Sequence, residues 1–118
     1  MAGKELWVIP DGFMNNTANG SFISHEAVCV LNTGEKDAQI EICVYFEDRE
    51  PVCGFDAVCR ARRTNHIRLD RLKNRNGEEI PRGISYALLV KSDVPVVVQH
   101  SRMDVSQAEM ALMTTIAY

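Results

Sequence analysis

The stretch Ile40-Glu41-Ile42-Cys43-Val44-Tyr45-Phe46-Glu47 decides the fold class. Ile40, Ile42, Val44 and Phe46 fall on one side of an extended chain, and Glu41, Cys43, Tyr45 and Glu47 on the other. A period of two marks a strand with one face in a core and one towards solvent. Working outward, residues 26–31 (EAVCVL) read as a second strand, closed by the turn signal Asn32-Thr33-Gly34. Residues 56–60 form a short one. Residues 62–69 form another, with Arg62, Thr64, His66 and Arg68 on one face and Arg63, Asn65, Ile67 and Leu69 on the other. Residues 85–90, 96–103 and 6–9 complete the set. Pro51, Pro81 and Pro95 fall in connections or at strand starts, as a sheet requires. Only residues 106–113 have helical character, with Ser106 as cap, Glu109 as its capping-box partner, and Ala108, Leu112 and Met113 as the apolar side. Residues 114–118 return to a strand. The pattern predicts an all-β fold, an antiparallel β-sandwich of jelly-roll type with at most one short C-terminal helical segment.

A length of 118 residues fits one domain over 1–118, and 46% hydrophobic with 25% charged residues is ordinary globular composition. The apolar run 94–98 is far too short to span a bilayer. The first ten residues, MAGKELWVIP, carry a charge pair and a proline where a signal peptide needs an apolar run, which predicts a cytoplasmic protein whose Asn15 and Asn19 triplets stay unglycosylated. In that compartment Cys29, Cys43, Cys53 and Cys59, which lack CxxC spacing, read as small hydrophobic thiols. No cofactor is implied.

The net charge of −3 hides an uneven distribution. Positions 35–56 hold seven acidic residues against two basic ones, and positions 60–75 seven basic residues against Asp70 alone. Opposite patches on a small domain suit head-to-tail self-association, or are solvated outer faces. A nucleic-acid reading of the basic run lacks a recognisable motif, interleaved aromatics and a basic overall balance. No Walker, GxSxG or HExxH pattern occurs. Polar residues instead cluster at Ser24-His25-Glu26, at 62–68 and at Gln99-His100-Ser101-Arg102-Met103-Asp104. A Ser24/His25/Glu26 triad fails because neighbours on a strand point to opposite faces. His25, His66 and His100 would make a catalytic zinc site only by converging in space. His100, Arg102 and Asp104 share one strand face, and Arg62, Thr64, His66 and Arg68 another. Such faces suit a sugar, phosphate or carboxylate ligand, or a polar subunit interface. Trp7 is a stacking platform or, more in keeping with its LWVI setting, core.

At these clusters the chain resembles the sensory rhodopsin transducer family. The resemblance is carried by FISHEAVCVLNTG (22–34), IEICVYFEDREPV (40–52), ARRTNHIRL (61–69), VPVVVQHSRMD (94–104) and QAEMALMTTIAY (107–118), in that order. It implies a β-sandwich that assembles as a homotetramer and serves as a cytoplasmic signalling module. One member couples to a membrane photoreceptor, others are inferred to sense sugars or related metabolites, and DNA binding has been proposed. The matching motif positions are His25, Glu26, Arg62, Arg63, Thr64, His66, Arg68, Gln99, His100, Arg102, Asp104 and Glu109. The loop 11–20, the basic segment 69–81 and the four cysteines depart from the family pattern. The resulting expectation is a non-enzymatic sensor or adaptor for a small sugar-like metabolite or a protein partner. Arg62, His66, Arg68, His100 and Arg102 would serve as donors, Glu26 and Asp104 as acceptors, and His25, Thr64 and Gln99 would complete the ligand- or interface-binding set. The alternatives are a metal-dependent enzyme using His25, His66 and His100, and a DNA-binding regulator acting through the basic segment 60–75.

Overall fold

The alternating run forms most of strand β5 (Ala38–Phe46) in the computed structural model, which describes residues 1–106 and 111–118. Ile40, Ile42 and Val44 enter the core and Tyr45 faces out, as the period of two predicts. β5 pairs antiparallel with β6 (Val52–Cys59) on one side and β8 (Tyr86–Asp104) on the other. β8 is the spine of the fold. Its first part runs between β5 and β1 (Lys4–Gly12), and its second between β4 (His25–Asn32) and β9 (Ala111–Ile116). β7 (Arg63–Arg68) flanks β4, giving the order β6-β5-β8-β4-β7 with β1 and β9 alongside β8. One strand therefore serves two ladders, and the sheet curls over a core that includes Ile9, Val28, Val30, Phe55, Ile67, Leu88, Val90 and Val98. The C-terminal end closes the curl, because Tyr118 exchanges backbone hydrogen bonds with Val8 of β1. A small hairpin, β2 (Ala18–Asn19) and β3 (Phe22–Ile23), leads into β4. Trp7 packs against the core, and its Nε1 donates to the carbonyls of Lys4 (3.0 Å) and Val96 (2.8 Å).

The all-β, antiparallel expectation holds, and three details are corrected. The strands read at 85–90 and 96–103 are one strand of 19 residues. Pro95 lies inside it, at the corner between the last pairing with β5 (Ser92) and the first with β4 (Val97), where no ladder bond needs its missing N–H. Within the C-terminal segment read as helical, Ala111, Leu112 and Met113 belong to β9. The edge of β8 supplies ladder bonds to this β-branched segment (ALMTTI), and tertiary pairing overrides local propensity. The rest of that helix, Gln107, Ala108, Glu109 and Met110, lies outside the described residues.

The third correction concerns the thiols. Cys43 and Cys53 are joined by a disulfide, leaving Cys29 and Cys59 free. Between the pairs Ile42–Phe55 and Val44–Val52, Cys43 alone stands opposite Cys53 and Gly54. This is a β-bulge, and Gly54 supplies its left-handed backbone at φ +84. Sequence spacing carries no trace of such a bulge, so the pair is invisible without the register.

Candidate functional site

Even-numbered residues of β4 face the core, which sends Glu26 into it beside Val28 and Val30. A carboxylate there is costly unless charge partners and donors surround it. The register supplies them. Arg102 of β8 sits directly opposite Glu26, and His100 opposite Val28, both on the same inward face. Tyr86, at the other end of β8, reaches the same spot across the curled sheet. Glu26 Oε1 accepts from the Tyr86 hydroxyl and from His100 Nε2 (3.0 Å), and Oε2 from the Phe13 N–H (2.8 Å) and Arg102 Nε (2.7 Å). An ionised carboxylate only accepts, so His100 Nε2 is protonated in this arrangement. Its Nδ1 then lies 3.3 Å from the Thr115 hydroxyl of β9.

Burial by itself raises the Glu26 carboxyl. The hydrogen bonds from His100, the Phe13 backbone and Tyr86, with the His100 charge, outweigh it and hold the group below its ordinary value. Burial, followed by the neighbouring Glu26 charge, drives the Tyr86 phenol far upward, so it remains a donor. Arg102 is the edge of this cluster. One terminal nitrogen lies 3.9 Å from Asp11 Oδ1, and the side chain opens on a groove of about 240 Å³ lined by Asp11, His100, Arg102, Met113, Thr115 and Tyr118, among others. A charged donor at a groove mouth, backed by a buried carboxylate and an imidazole, can bind a polar or anionic group.

A second carboxylate organises the neighbouring loop. Asp70 sits in a helical turn (Leu69–Arg71) after β7 and takes two bonds from Arg68 (2.8 and 2.9 Å), with Arg82 at 3.7 Å. Burial raises the Asp70 carboxyl, but the Arg68 hydrogen bonds and charge bring it below the ordinary value. Arg82 in turn donates to the carbonyls of Asn15 and Ser24, the two legs of the segment carrying the β2–β3 hairpin.

Of the residues singled out from sequence, Glu26, His100 and Arg102 come together. The others do not join them. Thr64 donates to the Val30 carbonyl, Asp104 accepts from the Ser106 N–H, and Arg68 is taken up by Asp70. His66 and Gln99 both flank Cys29 on the outward face, where they are exposed. His25 also faces outward, its Nδ1 3.0 Å from the Ile23 carbonyl. Arg62 lies in an exposed turn at φ +53, 3.9 Å from Glu35. The three-histidine metal reading is therefore corrected. His100 points inward and His25 and His66 outward, and no group of three His, Cys, Asp or Glu suited to a metal occurs among the described residues. The basic segment 60–75 is broken up as well, with Arg68 held by Asp70 and Arg75 by Glu41 and Asp56. Sequence reasoning missed Tyr86, Asp11, Thr115 and Arg82. Only Asp70 left a signal, as the one acid in a basic run.

A larger concavity of about 510 Å³ lies over β5, β6 and the start of β8. Its Glu41 and Asp56 are held by Arg75, and its Asp93 accepts the Gln39 N–H. Its Lys91 lies 4.0 Å from Glu41, so its charged groups already have partners on the protein.

The chain matches the family described as Anabaena sensory rhodopsin transducer over residues 2–118. Among solved structures it is similar to Thermotoga maritima 1070, with 40% identity, a TM-score of 0.90, and coverage of 100% of this chain and 96% of that one. It is also similar to the Anabaena sensory rhodopsin transducer, with 42% identity, a TM-score of 0.78, and coverage of 91% of this chain and 94% of that one. No curated protein matches.

Proposed function

This chain belongs to the family of the Anabaena sensory rhodopsin transducer, and on that premise we propose that it is a non-enzymatic cytoplasmic signalling module that senses a small polar, sugar-like metabolite at the groove beside Arg102. The observation that carries the reading is the position of Arg102, half on a buried carboxylate and half at a groove mouth. A hydroxyl-rich or anionic ligand would draw on its free guanidinium donors and on the imidazole behind it.

Glu26 supports a route from that site to the surface. Its Oε2 is shared between Arg102 and the Phe13 N–H, and Phe13 opens the segment carrying the β2–β3 hairpin. β9, which lines the groove, is a second route. A ligand that repositions Arg102 thereby changes the hold on both elements.

The site residues of this proposal are Glu26, His100 and Arg102. His25, Arg62, Thr64, His66, Arg68, Gln99 and Asp104 serve subunit or partner contacts or local structure. Assembly as a homotetramer is part of the same reading, supported by Leu31, Leu112 and Ile116 standing exposed on the outward face of the β4-β8-β9 ladder. A membrane photoreceptor, as for the Anabaena relative, or another signalling protein is the partner class. No helix among the described residues is long and apolar enough to cross a membrane.

A thermal-shift panel of sugars and small organic anions tests the ligand claim. At a hundredfold excess over its dissociation constant, a true ligand adds about 2.7 kcal/mol of stability, and Arg102→Gln abolishes the shift. A panel with no saturable stabiliser sinks the small-ligand reading. Light-scattering mass in solution tests the tetramer.

A further inference from the structure

We propose that the Cys43–Cys53 pair is a reversible thiol–disulfide exchange site, open to glutathione-class thiols and entered at Cys53. The inference is independent of the polar groove. It rests on where the bridge lies and on what is built over it.

The bridge joins neighbouring strands across a separation of ten residues. A loop that short gains less from cross-linking than a long one, and the β5–β6 ladder already holds both strands. The two ends differ in access, since Cys43 is buried in β5 while Cys53 is exposed on the bulge. The other cysteines offer no comparable chemistry. Cys59 is buried, its Sγ lies 3.3 Å from the Arg63 carbonyl, and burial pushes its thiol up. Cys29 is half-buried, with its Sγ 3.9 Å from the Ser101 hydroxyl.

The backbone around Cys53 is also the platform for another segment. The Cys53 carbonyl accepts from Asn74 Nδ2 (3.2 Å), the Gly54 carbonyl from the Arg75 N–H (3.1 Å), and the Gly54 N–H donates to Glu41 Oε2 (3.2 Å). Arg75 closes the arrangement on Glu41 and Asp56, and Asn74 Oδ1 caps the turn through the N–H groups of Asn76 and Glu78. A change at the bulge is therefore felt by the turn at 74–78.

In the exchange a thiolate attacks Cys53 Sγ, the Cys43–Cys53 bond breaks, and Cys43 leaves as a thiolate that takes up a proton. A second thiol attacks the mixed disulfide, releasing Cys53 as a thiol and the two external sulfurs as a disulfide. The protein gains two electrons and two protons, and two thiols are oxidised.

The test equilibrates the full chain in glutathione buffers, quenches with acid and an alkylating agent, and reads each cysteine by peptide mass spectrometry. The dithiol-to-disulfide ratio of the pair should move about a hundredfold for a hundredfold change in [GSH]²/[GSSG], reversibly from either side. The mixed disulfide should form on Cys53, and reduction should speed hydrogen exchange at Gly54 and Arg75. Cys29→Ser should leave the titration unchanged, and Cys53→Ser should remove the adduct. A pair that stays oxidised or stays reduced at every ratio overturns the proposal, as does glutathione captured at Cys29 in preference to Cys53.

Discussion

Glu26 and Asp70 are two carboxylates of almost equal burial, and they are held in different ways. Asp70 is gripped by permanent cations, Arg68 directly and Arg82 at its edge. Glu26 has one such cation, with its other bonds coming from an imidazole, a phenol and a backbone amide. Guanidinium clamps do not change state near neutrality, so Asp70 reads as a fixed tie between β7 and the segment 13–24. The Glu26 set has a single guanidinium, and that arginine opens on a groove, so the same burial there serves adjustment. A buried carboxylate is thus only as rigid as the donors around it.

The largest expected effect is that of Glu26→Ala, which leaves Arg102 with only the exposed Asp11 nearby and His100 Nε2 without its acceptor. A loss of about 3–5 kcal/mol in urea unfolding is expected. A smaller loss than for the same change at Asp70 would break the contrast. Acid comes next. Both carboxyls sit below their ordinary values of 4.5 and 3.8 when folded, so the unfolded chain binds more protons at low pH. Their contribution is complete above those ordinary values and is lost as pH falls through the lower folded ones. Stability measured from pH 6 down to pH 2, roughly the span in which carboxyls protonate, should fall, and Glu26→Gln should flatten the curve.

Asp70→Asn should cost about 1–3 kcal/mol, since Arg68 and Arg82 are partly exposed and water takes over their solvation. Its distinguishing sign is faster hydrogen exchange in 13–24, transmitted by Arg82; unchanged exchange there would remove Asp70 as the tie. Tyr86→Phe removes one donor of the Glu26 set, for about 1 kcal/mol. The acid transition should shift to higher pH, and no shift would mean the phenol does not tune Glu26. The smallest effect belongs to His66→Ala on the outward face, expected within about 0.5 kcal/mol of the parent. A larger loss in a tetrameric sample would show that this face is covered.

Much of this was legible in advance. The alternation at 40–47 set the strand class, because side-chain direction in an extended chain depends only on position parity. The same parity put His100 and Arg102 on one face and ruled out a triad at Ser24-His25-Glu26. Family motifs marked Glu26, His100 and Arg102, yet they marked His66 and Gln99 equally, which the fold turns to the opposite side of the ladder. Tyr86 opens an apolar strand and gave no sign of itself.

What sequence by itself determined was the β class, the core faces, the turns and the family, all of which follow from local periodicity and matched residues. Tertiary structure alone decided which polar residues meet. β8 runs unbroken through Pro95 and curls the sheet, bringing Tyr86 from one end and Arg102 from the other onto one carboxylate. The bulge at Gly54 sets Cys43 against Cys53 in the same non-local way. Register and curl arise from pairing between distant segments, and no window of sequence contains both partners.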